Sequence, residues 1–222
     1  MNKIAEHWLL IFLLLIGLKV FPQVNDAGLW ISANVEKNIT QSFGLSFSEE
    51  IRLMENMSEA STIFSDISLE FRFNKHLKAS THYRFINDRR LDDSYASRNR
   101  LYFDVSYRQK FSLFVLSVRE RIQSQFDRVY SSEGNATENY SRSKATLKLD
   151  MNRRISPYLS SEWFHPFNDP SVRFIDKARY MVGIEYQFSP WHMLDFNYLI
   201  QRSFRAIPGN DFVIGIGYFR LL

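Results

Sequence analysis

His82, Ser80, Ser68, Asp66 and Glu70 are residue types that could together form a hydrolytic relay. A serine hydroxyl needs an adjacent base before it can attack, and a carboxylate orients that base. They lie in two neighbouring stretches, SDISLEFRF (65–73) and LKASTHYRF (77–85). If 74–76 turns the chain back on itself, Ser68 faces His82 and Glu70 faces Ser80. A second pairing of this kind is Glu162 with His165 in SSEWFHP. Metal chemistry has less to work with: His7, His76, His82, His165 and His192 are scattered, no Asp-rich calcium loop appears, and there is no Cys to supply a thiolate. No cofactor is expected. Whether a serine relay could act depends on which way its carrying elements point these side chains.

Those elements are extended. In SDISLEFRF, Ile67, Leu69, Phe71 and Phe73 point one way and Asp66, Ser68, Glu70 and Arg72 the other, because strand side chains alternate with period 2. The same rule runs through eleven segments. Leu29, Ile31, Ala33 and Val35 alternate with Trp30, Ser32 and Asn34; Phe43, Leu45, Phe47 and Ile51 alternate with Ser46, Ser48, Glu50 and Arg52. RLYFDVSYR sets Leu101, Phe103 and Val105 against Arg100, Tyr102 and Asp104. Further on, Leu116, Val118 and Ile122 oppose Arg119 and Arg121; Leu147 and Leu149 oppose Lys144 and Lys148; Leu159 and Trp163 oppose Glu162. Val182 and Ile184 oppose Arg179 and Glu185, and Phe212, Ile214 and Ile216 oppose Gly215 and Gly217. No sustained 3.6-residue period competes, so the fold class is all-β.

Alternation leaves open which face meets water. A soluble sandwich turns the apolar face inward, whereas a membrane barrel turns it to lipid and lines its lumen with the polar face. The charges decide. Bases such as Arg52, Arg72, Arg84, Arg100, Arg119, Arg121, Lys148 and Arg179, and acids such as Glu50, Asp66, Glu70, Asp104, Glu162 and Glu185, share the polar face. Away from strand ends, only Glu49 and Glu120 fall on the other. That exclusion suits lipid, where a mid-depth Arg or Lys costs about 2–4 kcal/mol. The connections also sort, with short ones at 37–40, 74–76, 109–110, 153–156 and 189–191 and longer polar ones at 55–61, 88–97, 127–142, 165–177 and 203–210. Short turns on one side and long loops on the other are an outer-membrane pattern, with the turns in the periplasm. The expectation is an antiparallel up-and-down transmembrane barrel of 10 to 12 strands. Eleven sits awkwardly with the even counts of bacterial single-chain barrels, so the first segment lies outside the closed barrel or a strand has been miscounted.

The fourteen charged residues just named are then candidate lumen lining, and no catalytic residue is assigned. Lipid-active barrels carry their chemistry on the outer wall or its rim, and Ser80 and His82 face the other way. Bases and acids on one surface can pair across strands and fill a lumen of this size, so a structural barrel and a small channel with mild anion preference are both open. A lipid-modifying enzyme and a soluble periplasmic β-protein are the alternatives.

The chain ends fit an exported protein. MNKIAEHWLLIFLLLIGLKVFPQ has a basic start and an apolar run from Trp8 to Leu18, too short to span a bilayer as a helix and suited to a cleavable signal peptide over 1–23, leaving a barrel over 24–222. The last segment, DFVIGIGYFRLL, resembles the terminal strands that the outer-membrane assembly machinery recognises. A net charge of +4 does not imply nucleic acid, since no basic cluster has the spacing of a binding module. The expected partners are outer-membrane lipid, the assembly machinery during insertion, and an envelope protein complex if the barrel is structural.

On GLWISANVEKN, FSEEIRL, THYRF, RNRLYFDVSY, VRERIQ and YLSSEWF, the chain resembles a functionally uncharacterised family of Gram-negative, Bacteroidetes-type outer-membrane barrels. The resemblance implies location and architecture and lends no activity.

Overall fold

The computed structural model describes residues 25–90, 92–126, 138–150, 154–167, 174–204 and 209–222. The signal peptide expected over 1–23 lies outside the described residues. Eleven strands follow one another: β1 (Asn25–Asn38), β2 (Phe43–Met54), β3 (Glu59–Arg72), β4 (Leu77–Arg89), β5 (Tyr95–Phe111), β6 (Phe114–Phe126), β7 (Glu138–Leu149), β8 (Ile155–Pro166), β9 (Lys177–Ser189), β10 (His192–Ser203) and β11 (Asn210–Leu221). Each pairs antiparallel with its sequence neighbour, and β1 closes on β11. Closure leaves no edge strand to pair with another chain.

All eleven segments are in the wall, so the first is not excluded and no strand was miscounted. The strand count is odd, and the two ends of an odd meander run in the same direction. The seam is accordingly parallel, from Asn25 opposite Asn210 to Glu36 opposite Leu221. The first residue of β1 therefore lies at one rim and the last residue of β11 at the other.

Burial follows the alternation in the sense of a membrane barrel. On β5, the outward Leu101, Phe103, Val105 and Tyr107 are 41–49% exposed, while the inward Tyr102 and Asp104 are 4–5% exposed. Ile67 and Leu69 of β3 are likewise exposed, with Asp66 and Ser68 buried between them. Where the inner wall needs room it uses glycine. A Cβ on Gly183 would lie 2.5 Å from the Tyr158 ring, which packs flat over that strand.

The connections sort by rim, though less sharply than the sequence suggests. One rim carries the turns 39–42, 73–76, 112–113 and 190–191; the other carries 55–58, 90–94, 127–137, 167–176 and 204–209. On this long-loop rim the first two connections are as short as turns, because β3, β4 and β5 run further than the apolar pattern does. Beyond the greasy belt both faces are wet, so pairing continues through polar contacts such as Thr62 Oγ1 donating to Asp88 Oδ1 at 2.9 Å. The 55–58 turn holds Glu55, Asn56 and Met57 at positive φ and is pinned by Asp26, whose carboxylate accepts the Glu55 and Asn56 amides at 3.0 and 2.9 Å. In the next loop, the Ser94 hydroxyl and amide donate to Asp92 and hold its carboxyl below the usual range.

Candidate functional site

Among the described residues, a cavity of about 1300 Å³ occupies the lumen. Its lining runs from Asn74, His76 and Leu77 at the short-turn rim to Glu138, Ser203 and Asp211 at the long-loop rim. Twelve of the fourteen expected lumen residues border it: Glu50, Arg52, Glu70, Arg72, Arg84, Arg100, Arg119, Arg121, Lys148, Glu162, Arg179 and Glu185. The other two, Asp66 and Asp104, lie in the wall beneath the cations, each 4% exposed.

These charges form a network along the wall. Toward the short-turn rim, Arg72 joins Glu70 at 2.8 Å and Glu36 at 3.0 Å, Lys78 joins Glu70 at 2.5 Å, and Lys148 joins Glu185 at 2.7 Å. Nearer the middle of the wall, Arg121 grips Asp104 with two bonds of 2.7 Å, and Arg84 donates to Asp66 at 2.8 Å. Glu162 gathers Arg119, Arg142 at 2.9 Å and Arg179 at 3.7 Å. Arg52 is held by Glu50 of its own strand at 2.6 Å. Burying an ion costs less when its hydrogen bonds are met by fixed partners, and the cross-strand spacing of a sheet supplies them. Aromatic rings support the arginines: Arg84 lies 3.8 Å from the centre of Phe64, Arg121 3.7 Å from Tyr102, and Arg142 4.3 Å from Phe164.

The relay residues are brought together. Ser68 is opposite His82 and Glu70 opposite Ser80, as the turn at 74–76 requires. The Ser80 hydroxyl is 2.9 Å from His82 Nε2, and His82 Nδ1 is 3.1 Å from Asp66 Oδ1. That is the order of a Ser–His–Asp relay, but acyl transfer also needs donors where an oxyanion develops. Ser80 is flanked instead by Glu70 on one side and Asp104 on the other. The neighbouring cations Lys78, Arg84 and Arg121 are each engaged by a carboxylate. Tyr102 stacks on His82 at 4.2 Å and donates to Asp66 at 2.5 Å, so the histidine belongs to a packed polar wall. Glu162 and His165 are not brought together. Three residues apart on a strand, they point to opposite faces, and His165 bonds the Phe174 carbonyl at 2.9 Å. Among the described residues, no group of three or more His, Asp or Glu could hold a metal ion.

Sequence reasoning leaves Arg142 in a loop and passes over Phe164, and it sets Trp30 and Tyr102 on the polar row without naming them as lining; Tyr102 lies in the wall beneath the cations. Trp30 carried a readable signal, since it alternates with Leu29 and Ile31 and must face inward. Glu120, an exception on the outer wall, has a local solution: the Ser141 and Ser143 hydroxyls both donate to its carboxylate, Ser143 at 2.6 Å.

A closed meander with an apolar outside and an ionic inside defines a β-barrel of the outer-membrane type in fold. Among solved structures it is similar to the NanC porin, with a TM-score of 0.50 and 10% identity over 79% of this chain and 86% of that one. The β domain of the Bordetella autotransporter BrkA gives a TM-score of 0.49 and 10% identity over 78% of this chain and 81% of that one. The translocator domain of the autotransporter NalP from Neisseria meningitidis gives 0.39 and 13% over 79% and 73%. At these identities the likeness is one of fold. The chain belongs to the family described as "Protein of unknown function (DUF2490)", which it matches over residues 27–212. No curated protein sequence matches it.

Proposed function

We propose that the protein is an outer-membrane barrel whose lumen is a narrow aqueous conduit for small polar solutes and carries out no covalent chemistry. The observation that carries this reading is the continuity of the cavity: polar lining runs from one rim to the other while the ion pairs lie against the wall. Strands of this length, rising about 3.3 Å per residue and tilted about 40°, enclose a lumen on the order of 30 Å long. Spread over that length, the cavity has a mean cross-section on the order of 40 Å², wide enough for a small hydrated solute in single file. The exposed apolar rows support a lipid exterior, and the carboxylates flanking Ser80 argue against hydrolysis. In this orientation the short turns face the periplasm, and β11 is the strand presented to the assembly machinery.

Two measurements test the reading. The protein should partition with the outer membrane and migrate differently on gels before and after boiling, as a closed barrel does. Reconstituted into planar bilayers, it should give discrete, salt-dependent conductance steps. Recovery in the aqueous fraction would refute the location, and a folded barrel that blocks current would refute the conduit. Membrane lipids should be unchanged in a deletion strain.

A further inference from the structure

Positive charge is unevenly spread over the lumen wall. Toward the short-turn rim, Glu36, Glu70, Glu185 and Asp195 roughly match Arg72, Lys75, Lys78, Arg108 and Lys148, and at the long-loop rim Glu138, Asp176 and Asp211 line the cavity beside Lys177. Between them, Glu162 of β8 is shared by Arg119, Arg142 and Arg179 and faces Lys144, so that one carboxylate serves four cations.

Lys144 of β7 forms no ion pair among the described residues, and the one carboxylate it faces is already shared by the three arginines. Arg100 of β5 donates only to the neutral Gln125 side chain, through Nε at 3.0 Å and through Nη2, but it stands level with a residue of β6 six positions beyond the one opposite Lys144 and belongs to another part of the wall.

Trp30 borders this cluster. It comes from β1 and lies 4.0 Å from the Arg52 guanidinium and 5.0 Å from that of Arg179, which comes from β9, three strands away around the wall.

We infer that the cluster of Arg119, Arg142, Lys144 and Arg179 around Glu162 is a binding site for a multiply charged oxyanion, the class that includes phosphate monoesters and small polycarboxylates. The inference rests on the conduit reading for its role and names what the conduit would select. Planar guanidinium groups match the paired oxygens of such anions, and a dense set of like charges between low-dielectric walls raises the local concentration of the opposite sign. Four cations around one carboxylate leave an excess of three positive charges, which favours a ligand carrying two or three negative ones over chloride.

The test uses the full barrel in detergent and in bilayers, with inorganic phosphate and citrate as probes and chloride at equal ionic strength as the control. Trp30 fluorescence, identified by its loss in Trp30→Phe, should respond saturably to phosphate and citrate at concentrations at least tenfold below any response to chloride. Arg119→Gln and Lys144→Gln should each raise the phosphate dissociation constant at least tenfold, while Arg72→Gln, toward the short-turn rim, and Arg100→Gln, on another part of the wall, should leave it within twofold. Heat-modifiable migration verifies that each variant is folded, and either site variant suffices if the other does not fold. Equal responses to chloride and phosphate, or binding unaffected by the folded site variants, would overturn the site. The conduit and the site fail separately: binding without conductance removes only the conduit, and conductance without phosphate binding removes only the site.

Discussion

Asp104 and Arg121 show how ions are made tolerable inside this wall. Their side chains are 6% and 7% exposed, face each other across β5 and β6, and share two bonds of 2.7 Å. Neither would be stable there alone, because the desolvation of a buried ion is offset only by its partner. Asp104→Leu or Arg121→Met should each destabilise the barrel by about 3 kcal/mol or more, since each strands a charge. The double variant should lose clearly less than the sum of the two, the remaining loss coming from the missing support for His82 and Tyr102. Urea unfolding of the protein refolded in detergent, followed by heat-modifiable migration, would measure all three. A double variant as damaged as the sum would mean that the two side chains act independently, against the shared geometry.

At the scale of the strand, function depends on which row faces lipid. Val182 of β9 is 50% exposed, between the inward Met181 and Gly183, with Leu159 and Tyr198 opposite it on the outer face. Val182→Lys should cost about 2–4 kcal/mol of stability in a bilayer, because the new ammonium meets hydrocarbon. Glu120→Leu should act in the opposite sense and stabilise by about 1 kcal/mol, since it removes a carboxylate from the outer face and frees Ser141 and Ser143. Folding efficiency into lipid vesicles against urea concentration reads both. All eleven strands were legible as alternating segments, and their boundaries failed where alternation stops meaning anything. β7 is the clearest case. Its outward Asn139, Ser141 and Ser143 are as polar as its inward Tyr140 and Arg142, so the first half of the strand carries no period-2 signal, and Arg142 was assigned to a loop. The inward row was legible because long ionic side chains keep to it. The meeting of Trp30 with Arg179 was not, because their strands are far apart in sequence.

For the whole molecule, the decisive property is parity. Local hydropathy can reveal eleven segments but not how the first meets the last, since that pairing is not a hairpin and has no turn to fix its register. The structure resolves the apparent conflict with an even count by closing on a parallel ladder, in which Leu29 faces Ile214 and Ala33 faces Tyr218. The consequence can be tested chemically, because the native chain has no Cys and any introduced pair is unambiguous. Leu29→Cys with Ile214→Cys should crosslink under mild oxidation in the folded barrel, and so should Ala33→Cys with Tyr218→Cys. An antiparallel closure about the same centre would instead join Leu29→Cys to Tyr218→Cys and Ala33→Cys to Ile214→Cys. Gel migration of the four double variants distinguishes the two directions. A crosslink pattern of the second kind would require an even number of strands between the seam partners, and would move the first residue of β1 to the same rim as the end of β11. The charge balance from one rim to the other would then have to be redrawn, since the assignment of each lumen residue to a half of the barrel follows from the direction of its strand.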